Sequence, residues 1–230
     1  MLRGEVRLGL PGSVCPALAP PLIEAAARRM PHVRLLISEM MSGDLAARLA
    51  EGRTDLAILF DVEETEDYGS THLLTERLHL IGAPGSPHMA SETVDAVHLA
   101  SLDLIGTRLP HGLRLLLERW STETGIPLRF RFEVDAPTVL VRLAASGFGH
   151  AIVSKAAIAH ELPAGHLCAA EIASPPIDRK VCLASSKRVP PDASRDAIHR
   201  LMREVTSEIL AQDAWPGGTG LATFSASSSE

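Results

Sequence analysis

The sequence predicts an α/β fold of two Rossmann-like subdomains joined by a two-segment hinge. Three observations carry that expectation. Residues 4–60 alternate strand and helix patterns as β-α-β-α-β, which implies a parallel sheet with right-handed crossovers. From about Leu102 a similar alternation begins again, without a clear sequence repeat. Strand patterns then return before a final helix, so the chain goes out to a second lobe and comes back. Ligands of such folds sit in a cleft at the C-terminal ends of the strands.

Taken in order, "GEVRLGL" is a strand in which Val6, Leu8 and Leu10 alternate, and Pro11-Gly12-Ser13 stops it. Leu18, Leu22, Ile23, Ala26, Ala27 and Met30 follow at helical spacing. Pro20 and Pro21 have no N–H to donate and belong in a first turn, so that helix is expected to start near Ala17. This would leave Ser13 outside it, with a hydroxyl free to face the cleft. "VRLLISE" (Val33 to Glu39) is a second strand. "SGDLAARLAEG" is a helix with Ser42 as N-cap, Asp44 in the first turn and Gly52 past the end. "DLAILF" is short and continuously apolar, as a strand covered on both faces should be. An acidic stretch and the strand-like "THLLTERLHLIGAP" lead into the second lobe.

There "LDLIGT" is a strand, and "LRLLLERW" a helix with a stripe of Leu113, Leu116, Leu117 and Trp120. "LRFRFEV" alternates as a strand. "DAPTVLVRLAASG" is a helix with Asp135 as N-cap and Gly147 at its end, and "GHAIV" is a buried strand. The return comprises strands at "HLCAAEI" and "DRKVCLAS" and a helix from Asp192 to Ala211, with Ile198, Leu201, Met202, Val205 and Ile209 on one face. The expected division is residues 4–80 plus 174–212 for the first subdomain and 81–173 for the second. Residues 213–230, rich in Gly, Ser and Thr, are expected to be a disordered tail.

With 230 residues, 46% hydrophobic and 22% charged, the chain can bury a core of ordinary size. A net charge of -6 argues against a nucleic-acid surface on these residues, because phosphate binding needs clustered Lys and Arg. Cys15, Cys168 and Cys182 form no CxxC pair, which disfavours zinc or a disulfide framework and fits a reducing cytoplasm. No stretch reads as a signal peptide or membrane span. The first strand begins within a few residues of the start, which suggests a domain of a longer protein.

Ser13 sits on a glycine turn between strand and helix. No GxxxxGK[ST] occurs, and Gly12-Ser13-Val14-Cys15 is not a GxSxG nucleophile elbow. Two readings stay open: a turn serine satisfying its own backbone, or a hydroxyl facing a ligand. Ser42, Thr107 and Asp135 occupy the same kind of junction, and in a parallel sheet such junctions converge on one edge. Helix N-termini there carry partial positive charge, which favours an anionic ligand.

None of the ten histidines shows HExxH or supported HxxxH spacing, so they are read as surface or satisfied core residues and no metal is expected. His111, at the start of a helix after Thr107, is a secondary candidate for the cleft. The run Glu63-Glu64-Thr65-Glu66-Asp67 is read as a solvated loop. Cys15 would react with oxidants only if its pKa were lowered. Otherwise it is a small apolar filler. No paired acid and base or nucleophile constellation points to an enzyme, and no cofactor motif is present.

The opening "GEVRLGLPGSVCPALAPPLIEAAARRMPHVRLLISEMMSGDLAARLAEGRTDLAIL" resembles the start of the effector-binding domain of LysR-type transcriptional regulators. The marks are the GxVRLG strand, a Pro-containing helix ending at RMP, the strand leading to EMMSG, and LxxGxxDLAI. "TERLHLIGAP" resembles the family's strand at the crossing between subdomains, and "FEVDAPTVLVRLAASGFGHAIVS" its later helix and strand. The "EVDAPT" and "EMMSG" forms are similar to the nitrogen-assimilation-control branch.

The resemblance implies a type 2 periplasmic-binding-protein-like fold. It implies a non-enzymatic, cytoplasmic sensor whose DNA-binding winged helix-turn-helix lies outside this chain. It also implies an antiparallel dimer, within a tetrameric full-length protein, in which the first helix and the Val33–Glu39 strand meet the partner's second lobe. Its effector positions fall on Ser13, Ser42, Phe60, Thr107, Asp135 and Ala136, with Val14, Cys15, Met41, His111 and Thr138 beside them. Cys15 removes a hydroxyl, Phe60 adds bulk, and Asp135 would repel a carboxylate unless it caps its own helix. These departures point away from an aromatic acid or a sulfate-like ligand. They favour a smaller, neutral or cationic molecule, or a site used through protein contacts. The competing reading is a solute-binding protein of the same fold serving a transporter.

Overall fold

In the computed structural model, which describes residues 2–220, the first lobe opens with the expected alternation. It runs β1 (Gly4–Leu10), α1 (Cys15–Arg29), β2 (Val33–Glu39), α2 (Ser42–Ala50) and β3 (Leu56–Phe60). β1 lies parallel to β2 from Gly4 beside Val33 to Leu10 beside Glu39, and parallel to β3 on its other side. The period-two alternation puts Val6, Leu8 and Leu10 on one face of the sheet, in a core with α1. Leu45 and Leu49 of α2 cover the opposite face over Ala57 and Leu59.

β4 (Tyr68–Gly82) leaves this lobe and enters the next. The second lobe holds β5 (Thr93–Asp95), β6 (Asp103–Gly106), α3 (Gly112–Thr124), β7 (Arg129–Glu133), α4 (Pro137–Ala145), β8 (Ala151–Ser154) and β9 (Cys168–Ala173). The chain returns through β10 (Asp178–Ser186), α5 (Ala193–Ala211) and β11 (Gly218–Gly220). β4 pairs with β10 from Tyr68 to Arg77 and with β8 from Leu78 to Ile81, so one strand belongs to both lobes. The predicted face of α5 is buried, from Ile198 to Ile209, and closes the first-lobe core.

Several expectations need correction. α1 starts at Cys15, not near Ala17, because the Pro11 carbonyl accepts the Val14 and Cys15 N–H groups and Pro16 fills the first turn. Pro20 and Pro21 therefore lie inside the helix. Their missing donors free two carbonyls, one of them on the exposed Pro16. Ser42 is the first residue of α2 and Met41 its N-cap, while Ala136 rather than Asp135 caps α4; neither helix has a side-chain cap.

The segment after α5 is not loose up to Gly220. Trp215 is 1% exposed in the first-lobe core, and β11 pairs with β4. The rest of the expected tail, residues 221–230, lies outside the described residues. Within the expected acidic loop, Glu64 pairs with Lys187 at 2.5 Å and Asp67 with Arg188 at 2.6 Å. Among the described residues, no helix is long and apolar enough to cross a membrane.

Candidate functional site

A cavity of about 290 Å³ lies where the loops after β1, β2 and β3 face the second lobe's loop after β6 and the start of α4. Ser13, Ser42, Phe60, Thr107 and Asp135 all line it, as do Met41, His111 and Thr138. The strand-to-helix junctions thus converge as a parallel sheet requires. Three expected residues are absent from its wall, the effector position Ala136 and the neighbours Val14 and Cys15. Val14 is turned fully into the first-lobe core, Cys15 packs on that core, and Ala136 serves as the α4 N-cap. Burial, and then the Glu39 carboxylate, push the Cys15 thiol pKa up. This is the opposite of what a reactive thiolate needs.

The floor of the cavity is charged. Arg179 of β10 lines it with only 4% of its side chain exposed, and its Nε donates to Oε1 of the fully buried Glu76 at 2.6 Å. The other Glu76 oxygen accepts from Ser154 Oγ at 2.7 Å and from Trp215 Nε1 at 3.0 Å. Arg179 Nη2 donates to Ser13 Oγ at 3.1 Å, and the guanidinium stacks 3.7 Å from the Phe60 ring centroid. The Ser13 oxygen is therefore already an acceptor, while its O–H is left as a donor. Phe60 likewise does more than add bulk, since its face holds the cation in place.

On the second-lobe wall, Thr107 is 3% exposed and its Oγ1 has no hydrogen-bond partner among the described residues. A buried hydroxyl left unpaired costs about 1–3 kcal/mol, and the residue that carries it is one of those lining the cavity. His111 caps α3, its Nδ1 accepting the Leu113 N–H at 3.1 Å, which leaves the proton on Nε2. Burial lowers its pKa; Asp135 raises it and Arg179 lowers it by smaller amounts.

Asp135 accepts the Arg108 N–H at 2.9 Å and its Nε at 2.7 Å, and these bonds hold its carboxyl below the usual range. It does not cap α4, yet its charge is neutralised all the same. The lobes approach closely here. A Cβ built at Gly112 would stand 2.9 Å from Ser42 Oγ, so the absence of a side chain lets α3 begin against α2.

Sequence reading missed Arg179, Glu76, Glu39 and Glu161, of which all but Glu76 line the cavity. A signal existed for the first two. Arg179 shares strand parity with buried Val181 and Leu183, and Glu76 with buried Leu74 and Leu78, so each charge occupies an apolar position. Two opposite charges at inward positions of neighbouring strands announce a buried ion pair. Glu39 and Glu161 carry no such signal.

The family model described as the LysR substrate binding domain matches residues 1–207. The HTH-type transcriptional regulator BbuR of Bordetella bronchiseptica is 30% identical over 224 residues, covering 94% of this chain and 67% of that protein. The nitrogen assimilation regulatory protein nac of Klebsiella aerogenes is 25% identical over 207 residues, covering 90% of this chain and 67% of that one. Among solved structures, the Synechocystis regulatory domain of CcmR in complex with 2-PG superposes with a TM-score of 0.81 at 18% identity, covering 90% of this chain and 99% of that one. The effector-binding domain of QuiR in complex with shikimate gives 0.80 at 21% identity, covering 90% and 99%.

Proposed function

Because this chain belongs to the LysR substrate-binding domain family, we propose that it is the sensing and dimerising part of a transcriptional regulator whose interlobe cavity takes a small organic effector. The unpartnered Thr107 Oγ1 carries this reading, since it supplies a buried donor that only a bound molecule or water can satisfy. An effector that bridges the lobes favours one angle between residues 4–80 plus 174–212 and residues 81–173, and so biases the whole assembly. The chain spans about two thirds of the length of the regulators it matches. DNA contact is assigned to the remaining third and the protein to the cytoplasm. The transporter reading is not favoured, because the matched relatives are regulators.

Dimerisation is supported by an apolar groove along α1 and β2. Ile23 is 51% exposed, and Ala27, Met30, Val33, Leu35 and Ile37 continue the surface. β2 also lies at one edge of the sheet, with its outer side unpaired among the described residues. Association into tetramers belongs to the full-length protein.

The test is a thermal-shift screen of the chain against small metabolites. A true effector at about a hundred times its Kd adds roughly 2.7 kcal/mol of stability, and Thr107→Val or Ser42→Ala, each weakening it about tenfold, should remove about half of that gain. A hit whose effect survives both substitutions would place the site elsewhere.

A further inference from the structure

The charges around the cavity do not balance, and the imbalance bears on what fills it. Four carboxylates or guanidinium groups line it: Glu39, Asp135, Glu161 and Arg179. Two are neutralised from behind, Arg179 by Glu76 and Asp135 by Arg108. Glu39, at the end of β2, and Glu161, in the second-lobe segment after β8, make no ion pair or side-chain hydrogen bond among the described residues. Both residues are exposed, so each lobe contributes a solvated carboxylate without a protein counter-ion to the cavity lining.

The opposite character lies nearby. α2 and α4, each nine residues long, begin at the cavity without a side-chain cap. The first N–H groups of α2, from Ser42 onward, and those of Thr138 and Val139 in α4 have no intrahelical acceptor. The unpartnered Thr107 hydroxyl adds a further donor. The α1 terminus does not contribute, because the Pro11 and Val14 carbonyls already use its N–H groups and Pro16 has none.

Resting on the sensor reading above, we propose that the effector is a compact zwitterion of the amino-acid type. Its carboxylate meets the α2 and α4 N-termini and Thr107, and its ammonium meets Glu39 and Glu161. Leu140, Val141 and Val153 add apolar surface to the wall beside its polar groups, and this surface suits a short aliphatic body. A dicarboxylate or a phosphate ester would set its second negative charge against two carboxylates that have no counter-ion. A bare amine would leave the Thr107 hydroxyl and the two helix ends unsatisfied.

Matched probes on one aliphatic body decide the matter. The chain is titrated by calorimetry and thermal shift with valine and leucine. Parallel titrations use the deaminated acids 3-methylbutanoate and 4-methylpentanoate, and the amines 2-methylpropylamine and 3-methylbutylamine. At least one amino acid should bind, with its acid and its amine each weaker by about tenfold or more, the scale of one lost charge-assisted hydrogen bond. Glu39→Gln and Glu161→Gln should each weaken the amino acid by about tenfold and leave the acid unchanged or improved.

Three results would overturn the proposal: no binding by any of the amino acids, acids that bind as tightly as their amino acids, or Gln variants that bind amino acids normally. Failure of the charge assignment is separable from failure of the sensor reading. If an organic acid or neutral metabolite binds in a Thr107-dependent way, the sensor stands and the zwitterion falls. If nothing in either panel binds so, both fall.

Discussion

Replacing Thr107 by valine should make the protein more stable while making it a poorer receptor. The side chain is 3% exposed, and its Oγ1 is buried without a partner. Such a hydroxyl costs about 1–3 kcal/mol relative to hydration, and exchanging it for a methyl adds up to about 0.8 kcal/mol of apolar burial. Valine keeps the branched shape, so packing strain is small. We expect a net gain of about 1–2 kcal/mol, read as a higher urea midpoint at an unchanged slope. Any cavity ligand that accepts from the hydroxyl should bind roughly tenfold more weakly. A variant that is less stable than the parent would refute the reasoning, because it would show that the native hydroxyl already has a partner.

Other perturbations follow from the same geometry. Glu76→Gln leaves the Arg179 cation buried without its counter-charge and should cost about 3–5 kcal/mol. Trp215→Phe removes one bond to that carboxylate and part of a buried ring, and should cost about 2–5 kcal/mol; both are read from urea unfolding. Acidification should destabilise the fold. Burial is the main cause that lowers the pKa of His79, His111, His150 and His199. The unfolded chain then binds more protons, so stability present above about pH 6.5 is lost as the pH falls through the lowered values. Urea midpoints at successive pH values below neutrality check the sign, and a rise towards acid would contradict it. Ile23→Glu puts a charge in the apolar groove along α1 and should shift the chain towards monomer in sedimentation velocity without lowering its melting temperature.

The parts of this molecule that sequence reading captured are those set by local periodicity. Val6, Leu8 and Leu10 announce a strand, and Ile198, Leu201, Met202, Val205 and Ile209 a helix face, because each pattern repeats at the period of its own element. The cavity junctions at Ser13, Ser42 and Thr107 were legible for a related reason: parallel strands must end on one side. The α1 start was not, since Pro20 and Pro21 argue locally for a first turn. The Pro11 carbonyl and Pro16 instead begin the helix two residues earlier. Nor was Trp215, whose burial depends on a buried carboxylate more than a hundred residues away.

Charge at the cavity is the property least visible along the chain, because ion pairing is decided by contacts across it. Asp135 looks repulsive to a carboxylate until Arg108 is seen to neutralise it, and Arg179 looks attractive until Glu76 does the same. Ser13 looks free until Arg179, from a strand near the other end of the sequence, occupies its oxygen. What remains after these cancellations is two acidic groups, a set of uncapped N–H donors and several hydroxyls, of which that of Thr107 is buried. Selectivity in such a site follows from the groups left over, since a group already paired within the protein gains little by contacting a ligand. The stabilised Thr107→Val protein and the Glu39→Gln receptor therefore test one idea from two sides: the first removes an unused donor, the second an unused charge.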